Sequence, residues 1–324
     1  MLISPLCKHP FFLRCHPTGQ LPIHTHTHTH MSRLVKDLIP KLTSSLSKGQ
    51  MGRLAVVGGC EDYTGAPYFA GHAALVAGVD LVHIITDQAA AAVIKTYSPD
   101  LMVHPYLHTE RIVDVCKLVD RCDVVIVGPG YGRDAGRLNL LREIVEHVLQ
   151  NTTTHSLLMD ADALYALSTD EKLADIVRSK KESNSNATAV VVTPNGTELH
   201  YLLKANGVNT IEELAKALHV VVVAKGGVDR IAGEDDGSVL ECNEAGSLKR
   251  AGGQGDTLTG VMGAFLCWRD IKKDAAISAS AACYAGCYVT RRAGHAAYLQ
   301  HGRSMLASDV HRHIGSAFKA LEQD

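Results

Sequence analysis

Short runs of β-branched and aliphatic residues alternate along this chain with longer segments in which apolar residues recur at helical spacing. The runs are apolar throughout, which is the pattern of strands covered on both faces. They lie at Leu54–Val57, Leu81–Ile85, Val124–Val127, Leu157–Met159, Ala189–Val192 and Val220–Ala224. Because strands that alternate with helices are joined by right-handed crossovers, the pattern predicts an α/β fold with a mostly parallel central sheet.

Composition narrows the class of protein. The 324 residues include 32 Lys and Arg against 34 Asp and Glu, a net charge of −2, and 46% of them are hydrophobic. This balance of charged and apolar residues excludes a disordered chain. Because the chain has no basic cluster, it has no positive electrostatic potential that would attract the phosphates of a nucleic acid. No apolar run approaches the roughly 20 residues of a membrane span. We therefore expect small-molecule partners, with neither nucleic acid nor membrane among them.

The first 33 residues differ from the rest of the chain. The stretch Met1–Lys36 has no acidic residue, and His and Thr alternate from His24 to His30. Such a leader can be a mitochondrial transit peptide, or a low-complexity tract before an alternative start at Met31. We expect a disordered or targeting leader at residues 1–33 and a single domain at residues 34–324. The location is then cytoplasmic, or mitochondrial if the leader is a targeting signal.

The cysteines support an intracellular location. Nine of them are scattered singly along the chain, without the CxxC spacing of metal or redox motifs. An odd, unpaired set favours a reducing compartment. Cys283 and Cys287 lie four residues apart in a helical stretch, and we expect them to pack in the core rather than to bind a metal.

A glycine loop before an amphipathic helix is the strongest candidate for chemistry. Gly252, Gly253 and Gly255 precede Asp256, after which apolar residues recur at helical spacing. Converging backbone N–H groups and the helix dipole would form an anion site there. Asp256 can accept a proton from an attacking hydroxyl, or it is an ordinary first-turn acid. The chain has no GxxxxGK[ST], and GGQGD does not fit GxGxxG, so Walker-type and standard Rossmann sites are disfavoured.

Other polar loops follow predicted strands, at the edge where parallel α/β sheets bind ligands. Asn195 and Glu198 can face a pocket, or the loop is a strand-to-helix turn in which Asn195 or Thr197 caps the next helix. Lys225 can pair with nucleotide phosphates, or its KGGVD segment is a β-turn between strands. Asp160 and Asp162 can orient a metal, a water or a hydroxyl, although helix capping is favoured for Asp162. Their shared position at strand ends points to one site.

Eight segments spread over most of the chain, from about Leu34 to Phe318, match one family in order. They are GGCEDYTGAPYFAG (Gly58–Gly71), YSPDLMVHP (Tyr97–Pro105), VGPGYGRD (Val127–Asp134), MDADAL (Met159–Leu164), TPNGTE (Thr193–Glu198), KGGVD (Lys225–Asp229), GGQGDTLTG (Gly252–Gly260) and HGRSMLASDVHRHIGSAF (His301–Phe318). In these segments the chain resembles the NAD(P)H-hydrate dehydratases of the ribokinase-like superfamily.

The resemblance implies a three-layer αβα sandwich and a metabolite-repair reaction. The expected activity is ATP-dependent dehydration of the S-form of hydrated NADH or NADPH (NADHX or NADPHX) back to the coenzyme, giving ADP and phosphate through a phosphorylated intermediate. The GGQGD form, with Gln254, resembles the eukaryotic members, which use ATP where bacterial members use ADP. Mg²⁺ is the implied cofactor and ATP the co-substrate.

The resemblance also implies roles for individual residues. Asp256 would be the base that deprotonates the hydrate hydroxyl, with Gly252, Gly253 and Gly255 as the anion hole. The residues implied to bind ATP are Lys225, Gly226, Gly227, Val228, Asp229, Gly246, Ser247, Leu248, Lys249, Arg250, Ala251, Gly252, Gly253, Gln254 and Gly255. Those implied to bind the hydrated coenzyme are Gly130, Asn195, Gly196, Thr197, Glu198, Leu199, His200, Tyr201 and Asp256. No metal ligand is assigned. Tyr131 stands where many relatives have Leu, which leaves the pocket shape there open.

Two alternatives share these features. A ribokinase-like kinase for a vitamin precursor or a sugar would use the same glycine loop and aspartate but leave the phosphate on its product. A non-catalytic dinucleotide-binding protein would keep the loops without turnover, although an intact Asp256 argues against it. The preference between NADHX and NADPHX, whether the chain forms a homo-oligomer, and the fate of residues 1–30 stay open.

Overall fold

A computed structural model of the protein describes residues 32–150, 153–180, 188–233, 238–272 and 277–323. The histidine tract and the predicted leader, apart from residues 32 and 33, lie outside these ranges. The strands of the described part are β1 (Arg53–Val57), β2 (Leu81–Ile85), β3 (Met102–His104), β4 (Val124–Val127), β5 (Ser156–Met159), β6 (Ala189–Val192), β7 (Val221–Ala224), β8 (Asp229–Ala232) and β9 (Val239–Cys242). They form one sheet in the order β3-β2-β1-β4-β5-β6-β7-β8-β9.

The sheet is mostly parallel, as the sequence predicted. Strands β1 to β7 pair in parallel, while β8 pairs antiparallel with both β7 and β9. All six predicted strands are present. The pattern did not predict β3, which is three residues long, or the hairpin of β8 and β9. In that hairpin Arg230 and Glu241 are exposed, because an edge hairpin buries one face and its sequence alternates.

Helices cover both faces of the sheet. Those of the described residues are α1 (residues 32–38), α2 (Gly65–Ala77), α3 (Gln88–Lys95), α4 (Ile112–Val119), α5 (Ala135–Gln150), α6 (Asp162–Thr169), α7 (Glu171–Ser179), α8 (Gly196–Asn206), α9 (Ile211–Leu218), α10 (Gln254–Lys272), α11 (Ala279–His301) and α12 (Ala307–Gln323).

Alternate side chains of each parallel strand enter two different apolar layers. On β1, Leu54 and Val56 join one buried cluster, which α1 to α3 and α10 to α12 cover. Ala55 and Val57 join the other, which α4 to α9 cover. The strands are therefore apolar on both faces because each face lies under helices, and the predicted three-layer αβα sandwich is confirmed.

The structure also tests the expectations about the cysteines and about membrane-spanning segments. Cys283 and Cys287 are fully buried in α11, as expected for core packing, and all seven described cysteines are free thiols. Within the described ranges, no helix combines the length and the apolar character that crossing a membrane would need.

Candidate active site

The carboxyl ends of the parallel strands bring the predicted loops together at one edge of the sheet. The backbone N–H of Gly128, after β4, donates to the carbonyl of Val57 at 3.0 Å, and that of Asp160, after β5, donates to the carbonyl of Val127 at 3.0 Å. The N–H of Lys225, after β7, donates to the carbonyl of Pro194, after β6, at 2.9 Å. The loops that follow these neighbouring strands are therefore joined by hydrogen bonds.

The glycine loop ends at the start of α10. Gly253 has φ +90°, and a Cβ there would lie 2.7 Å from the Phe69 ring and 2.9 Å from the Ala307 Cβ, so only glycine fits. Its carbonyl accepts the helical hydrogen bond from the N–H of Thr257 at 2.9 Å. Of the residues between them, Gln254 donates its N–H to the carbonyl of Ala251 at 3.4 Å, whereas the N–H groups of Gly255 and Asp256 belong to the helix start and have no intrahelical partner. Together with the helix dipole they form an anion-binding position.

A buried ion pair lies beside this helix start. Lys225 Nζ is 2.8 Å from Asp160 Oδ1, which also accepts the Thr193 hydroxyl at 2.8 Å. Burial lowers the pKa of Lys225, but the adjacent Asp160 carboxylate outweighs it and the net pKa is raised, so the lysine stays charged. A Cβ on Gly255 would lie 3.5 Å from Nζ. The ammonium group therefore reaches the glycine loop.

Asp256, in the first turn of α10, has the ionisation that a base near neutral pH needs. Burial raises the pKa of its carboxyl from 3.8 to about 7, the charge of Asp160 adds to the rise, and Lys225 opposes it. An acid exposed at a helix start would instead have a lowered pKa, because the dipole favours its negative charge. The environment therefore favours a proton acceptor over an ordinary first-turn acid.

The KGGVD segment is a turn between β7 and β8, so the β-turn interpretation is confirmed, while its lysine still reaches the site. Arg291 of α11 holds this turn. It donates Nε to Asp229 Oδ2 at 2.7 Å, Nη1 to the Glu244 carbonyl at 3.0 Å, and Nη2 to the carbonyls of Gly226 at 2.8 Å and Gly227 at 2.7 Å. The arginine thus joins the turn to Glu244, just before the second segment implied to bind ATP, and a Cβ on Gly246 of that segment would lie 3.3 Å from Nη1.

The second of these segments, Gly246–Gly255, runs from the loop after β9 into α10. The carbonyl of Lys249 accepts both the Ser247 hydroxyl and Gln254 Nε2, the latter at 3.1 Å. Lys249 Nζ donates to the carbonyl of Arg303 at 2.9 Å, whereas Leu248 is 80% exposed. The loop is therefore shaped by hydrogen bonds to its own carbonyls rather than by apolar packing of Leu248.

The segment Asn195–Tyr201 begins α8. Asn195 is the N-cap, and its Oδ1 accepts the N–H groups of Thr197 and Glu198 at 3.0 Å each. The Glu198 carboxylate accepts the N–H of Asn195 at 2.8 Å and completes a capping box. The capping interpretation is thus confirmed for Asn195 and does not apply to Thr197. Burial chiefly raises the pKa of Glu198.

A cleft of about 710 Å³ opens beside this cap, between α6 and α8. It is lined by Arg133, Leu164, Tyr165, Ser168, Thr169, Asn195, Thr197, Glu198, Tyr201, Lys204 and Ala205. The lining thus includes four of the residues implied to bind the hydrated coenzyme. The implied residues outside the lining are Gly130, Gly196, Leu199, His200 and Asp256. Of these, Leu199 packs against the core instead.

Asp162 does not cap α6, so that prediction is wrong. The N-cap is Ala161, without a capping side chain, and Asp162 lies in the first turn of the helix. Its Oδ2 accepts the N–H of Gly132 at 2.9 Å and its Oδ1 lies 2.7 Å from Arg133 Nε. The loop after β4 therefore supplies the partners of Asp162. Ala161 has φ +49°, and this turn separates Asp160, which pairs with the buried lysine, from Asp162, which pairs at the cleft rim.

The GPGYG loop packs closely against the loop after β1. Gly130 has φ +58°, and a Cβ there would lie 2.8 Å from the Tyr63 Cβ. Tyr131 is fully buried in the apolar cluster on the α4 to α9 side. The tyrosine therefore belongs to the core behind the loop and does not line the cleft.

Sequence reasoning gave no role to three residues that the structure places at these sites. Arg133 and Tyr165 line the cleft, with the Arg133 guanidinium 4.5 Å from the centre of the Tyr165 ring. Arg291 is the third. The available signals were weak, because Arg133 is one residue past a glycine loop and Arg291 is one of two adjacent arginines in a helix whose first half is small and apolar.

Comparisons with known proteins agree with the segments found in the sequence. A profile of the NAD(P)H-hydrate dehydratase family matches residues 54–315. An ATP-dependent (S)-NAD(P)H-hydrate dehydratase of Phaeosphaeria nodorum is 37% identical over 90% of this chain and 95% of its own length.

Solved structures share the fold. A ribokinase-like superfamily protein of Enterococcus faecalis superposes with a TM-score of 0.72 at 21% identity, covering 90% of this chain and 95% of its own. An ADP/ATP-dependent NAD(P)H-hydrate dehydratase of Bacillus subtilis, co-crystallized with ATP/Mg²⁺, gives 0.70 at 20% identity, covering 90% and 97%. The fold of this chain is therefore ribokinase-like.

Proposed function

The chain belongs to the NAD(P)H-hydrate dehydratase family, and from that premise we propose how its residues carry out the family's reaction. It is an ATP-dependent enzyme that dehydrates the S-form of hydrated NADH or NADPH back to the coenzyme, with ADP and phosphate as the other products. The single observation that supports the residue roles is the convergence of Asp256, the start of α10 and Lys225 at one edge of the sheet.

Asp256 is the proposed base for phosphoryl transfer. Its ionised carboxylate takes the proton of the hydrate hydroxyl as that oxygen attacks the terminal phosphorus of ATP, and ADP leaves. The backbone N–H groups at the start of α10, with Gly252, Gly253 and Gly255, stabilise the charge on the transferred group, and Lys225 adds a fixed positive charge.

The second step is an elimination. The ring nitrogen lone pair expels phosphate, which carries away the hydroxyl oxygen, and loss of a proton from the neighbouring ring carbon restores the double bond. Phosphate is a far better leaving group than hydroxide, so the first step makes this one facile. The protein has little covalent chemistry to perform and acts by positioning its substrates.

For ATP we propose the two segments that Arg291 brings together, Lys225–Asp229 and Gly246–Gly255. For the hydrated coenzyme we propose Gly130, Asn195–Tyr201 and the cleft between α6 and α8. The cleft volume of about 710 Å³ is in the usual range for small-molecule sites, about 300–1,000 Å³. Arg133 and Lys204 offer cations for the phosphates of a dinucleotide, and the rings of Tyr165 and Tyr201 offer apolar surface.

Mg²⁺ is the proposed cofactor. Among the described residues, no three His, Cys, Asp or Glu side chains are grouped as a complete metal site. Mg²⁺ usually takes only one or two carboxylates together with substrate phosphates and waters. The carboxylate of Glu198, close enough to Lys225 to raise its pKa, fits that donor set and would hold the ion with the ATP phosphates, whereas Asp160 Oδ1 is already paired with Lys225 and Thr193. The bound ion would neutralise phosphate charge.

Several expectations from the sequence remain proposals. These are the leader at residues 1–33, with mitochondrial targeting as one alternative, the single domain at residues 34–324 and the lack of a nucleic-acid partner. The N-terminal sequence of the protein purified from cells, with its compartment, would test the first, because a start at Met31 removes the transit peptide.

A single assay tests the function. The protein is incubated with hydrated NADH, ATP and Mg²⁺ while the absorbance band of reduced nicotinamide and the released phosphate are recorded. We expect the band to recover only when ATP is present, with one phosphate released for each coenzyme restored. A small-molecule kinase would consume ATP with its own substrate and keep the phosphate on the product. Failure of the band to recover would contradict the dehydratase assignment.

A further inference from the structure

A chain of hydrogen bonds runs from α2 through α12 to the glycine loop. His72 Nδ1 lies 2.9 Å from His311 Nδ1, and His311 Nε2 lies 2.8 Å from Thr257 Oγ1. The Thr257 hydroxyl donates in turn to the carbonyl of Gly253 at 2.8 Å. Three helices that are distant in sequence therefore meet behind the start of α10, one residue from Asp256.

The donor and the acceptor of each of these hydrogen bonds can be assigned by starting from the carbonyl of Gly253. A hydroxyl has one hydrogen, and Thr257 gives it to Gly253, so Thr257 accepts a hydrogen from Nε2 of His311. In a neutral imidazole the other nitrogen then accepts, and His72 donates to it from Nδ1. Burial, with a smaller contribution from His72, lowers the pKa of His311 to about 4, so its ring is neutral at physiological pH. Each ring is thereby held in one tautomer.

Packing holds the His311 ring as firmly as the hydrogen bonds do. His311 is 5% exposed, and its ring lies nearly in the plane of the His72 ring, with centroids 5.1 Å apart and planes 10° apart, as two rings joined edge to edge by a hydrogen bond do. Phe69 meets the His311 ring edge-on at 5.4 Å. The same Phe69 ring leaves no room for a Cβ on Gly253. The ring that orders the hydrogen bonds is thus part of the wall that shapes the glycine loop.

We propose that His311 is a positioning residue for phosphoryl transfer, acting through Thr257. By supplying a donor to the Thr257 hydroxyl, it directs the hydroxyl hydrogen to the carbonyl of Gly253. That carbonyl belongs to the peptide plane with which α10 starts, and its direction sets those of the anion-binding N–H groups and of Asp256. His311 itself does not touch the substrates, and its role rests on the proposed function of Asp256 and the glycine loop.

The test separates positioning from folding. In His311→Leu the ring nitrogens are lost, and the Thr257 hydroxyl is free to turn away from Gly253. We expect kcat to fall about 10-fold while KM for ATP and for hydrated NADH stays within about twofold, because an interaction made in the transition state is weakened. His311→Gln should recover most of kcat, since its side-chain amide can both donate and accept. Thr257→Val should reduce kcat as His311→Leu does, and the double variant should be no slower than the slower single variant.

A second partly buried histidine pair provides a matched control. His83 Nδ1 lies 3.0 Å from His104 Nε2. His83 belongs to β2 and His104 to β3. His83 points to the other face of the sheet from Ile84, which belongs to the apolar cluster under α10. His83→Leu should leave kcat unchanged, whatever it does to the melting temperature.

Each contrary result has one meaning. Unchanged kcat in His311→Leu, an equal fall in His83→Leu, or independent effects of His311→Leu and Thr257→Val would overturn the positioning role. Asp256→Asn is measured beside them. If Asp256→Asn is nearly inactive while His311→Leu is fully active, only the positioning role fails. If Asp256→Asn turns over normally, the proposed base fails, and the positioning role fails with it.

Discussion

Two neighbouring parts of the site differ in how they hold charge. The buried centre, formed by the buried Asp160 with the partly buried Lys225 and Asp256, keeps its charges largely out of water, and burial and mutual interaction shift the pKa values of Lys225 and Asp256. The open cleft between α6 and α8 carries Arg133, which is 57% exposed on its side chain, and Tyr201, which is 56% exposed. Buried charges can stabilise a transition state strongly, whereas exposed groups are screened by water and mainly bind. We therefore expect the centre to govern kcat and stability, and the cleft to govern KM.

The largest expected effect is on turnover. Asp256→Asn keeps the size of the side chain but cannot accept the hydroxyl proton, so kcat should fall by at least about 100-fold, the usual loss for a positioned base. ATP binding, measured by calorimetry, should persist, because the helix start remains. Turnover within a few-fold of the original would show that the centre does not supply the base.

The next effect is on stability. Lys225→Met leaves the Asp160 carboxylate buried and without its cation, so the free energy of unfolding at pH 7 should fall by about 3–5 kcal/mol. Lys204→Met, at the exposed cleft rim, should change it by no more than about 0.5 kcal/mol. Denaturant titration followed by circular dichroism measures both, and similar losses in the two variants would erase the contrast between centre and cleft.

A change confined to the cleft should alter binding. Tyr201→Ala removes an aromatic surface, and loss of stacking worth about 1–3 kcal/mol would raise KM for hydrated NADH roughly 10-fold with kcat unchanged. Val113, which is 60% exposed on α4 and outside the cleft lining, serves as the control, and Val113→Ala should leave KM alone. A fall in kcat without a rise in KM would assign Tyr201 to the chemistry instead.

The smallest effect tests the residue that joins the two parts. Ala161 has φ +49° and ψ −113°, a conformation that glycine adopts readily and other residues adopt at a cost of about 1–3 kcal/mol. Ala161→Gly should therefore raise the free energy of unfolding by about 1 kcal/mol with little change in kcat. Ala166→Gly, inside α6, should lower it instead, because glycine weakens a helix interior. Destabilisation by Ala161→Gly would mean that its conformation is unstrained.

The fold was largely predictable because its strands are buried on both faces. The runs at Val124–Val127 and Ala189–Val192 are apolar at every position, and that pattern does not depend on which strands become neighbours. The edge hairpin of β8 and β9 was missed because one of its faces is solvated. Local spacing could identify Asp256 as a candidate base, but it could not say that the residue is buried, which is what raises its pKa.

The roles of residues that depend on long-range contacts could not be predicted from the sequence. Asp162 is of a residue type that commonly caps helices, yet its hydrogen-bond partners come from a loop 30 residues earlier in the chain. Arg291 and His311 reach the site from α11 and α12, and no local motif shows which loop they will contact. The chemistry of a loop at a strand end can thus be predicted from its own sequence, whereas the distant side chains that hold the loop in place can be identified only from the structure.

The most direct test of the account is the pH dependence of kcat/KM. Only the ionised form of Asp256 accepts a proton, so activity should rise with pH through a pKa of about 7. Asp160→Asn removes a charge that raises this pKa and leaves Lys225 to favour the carboxylate, so the acid limb should move to lower pH. Asp175→Asn, on the surface of α7, should leave the limb in place. An acid limb that stays at the same pH in Asp160→Asn would contradict the claim that the buried centre sets the ionisation of the catalytic base.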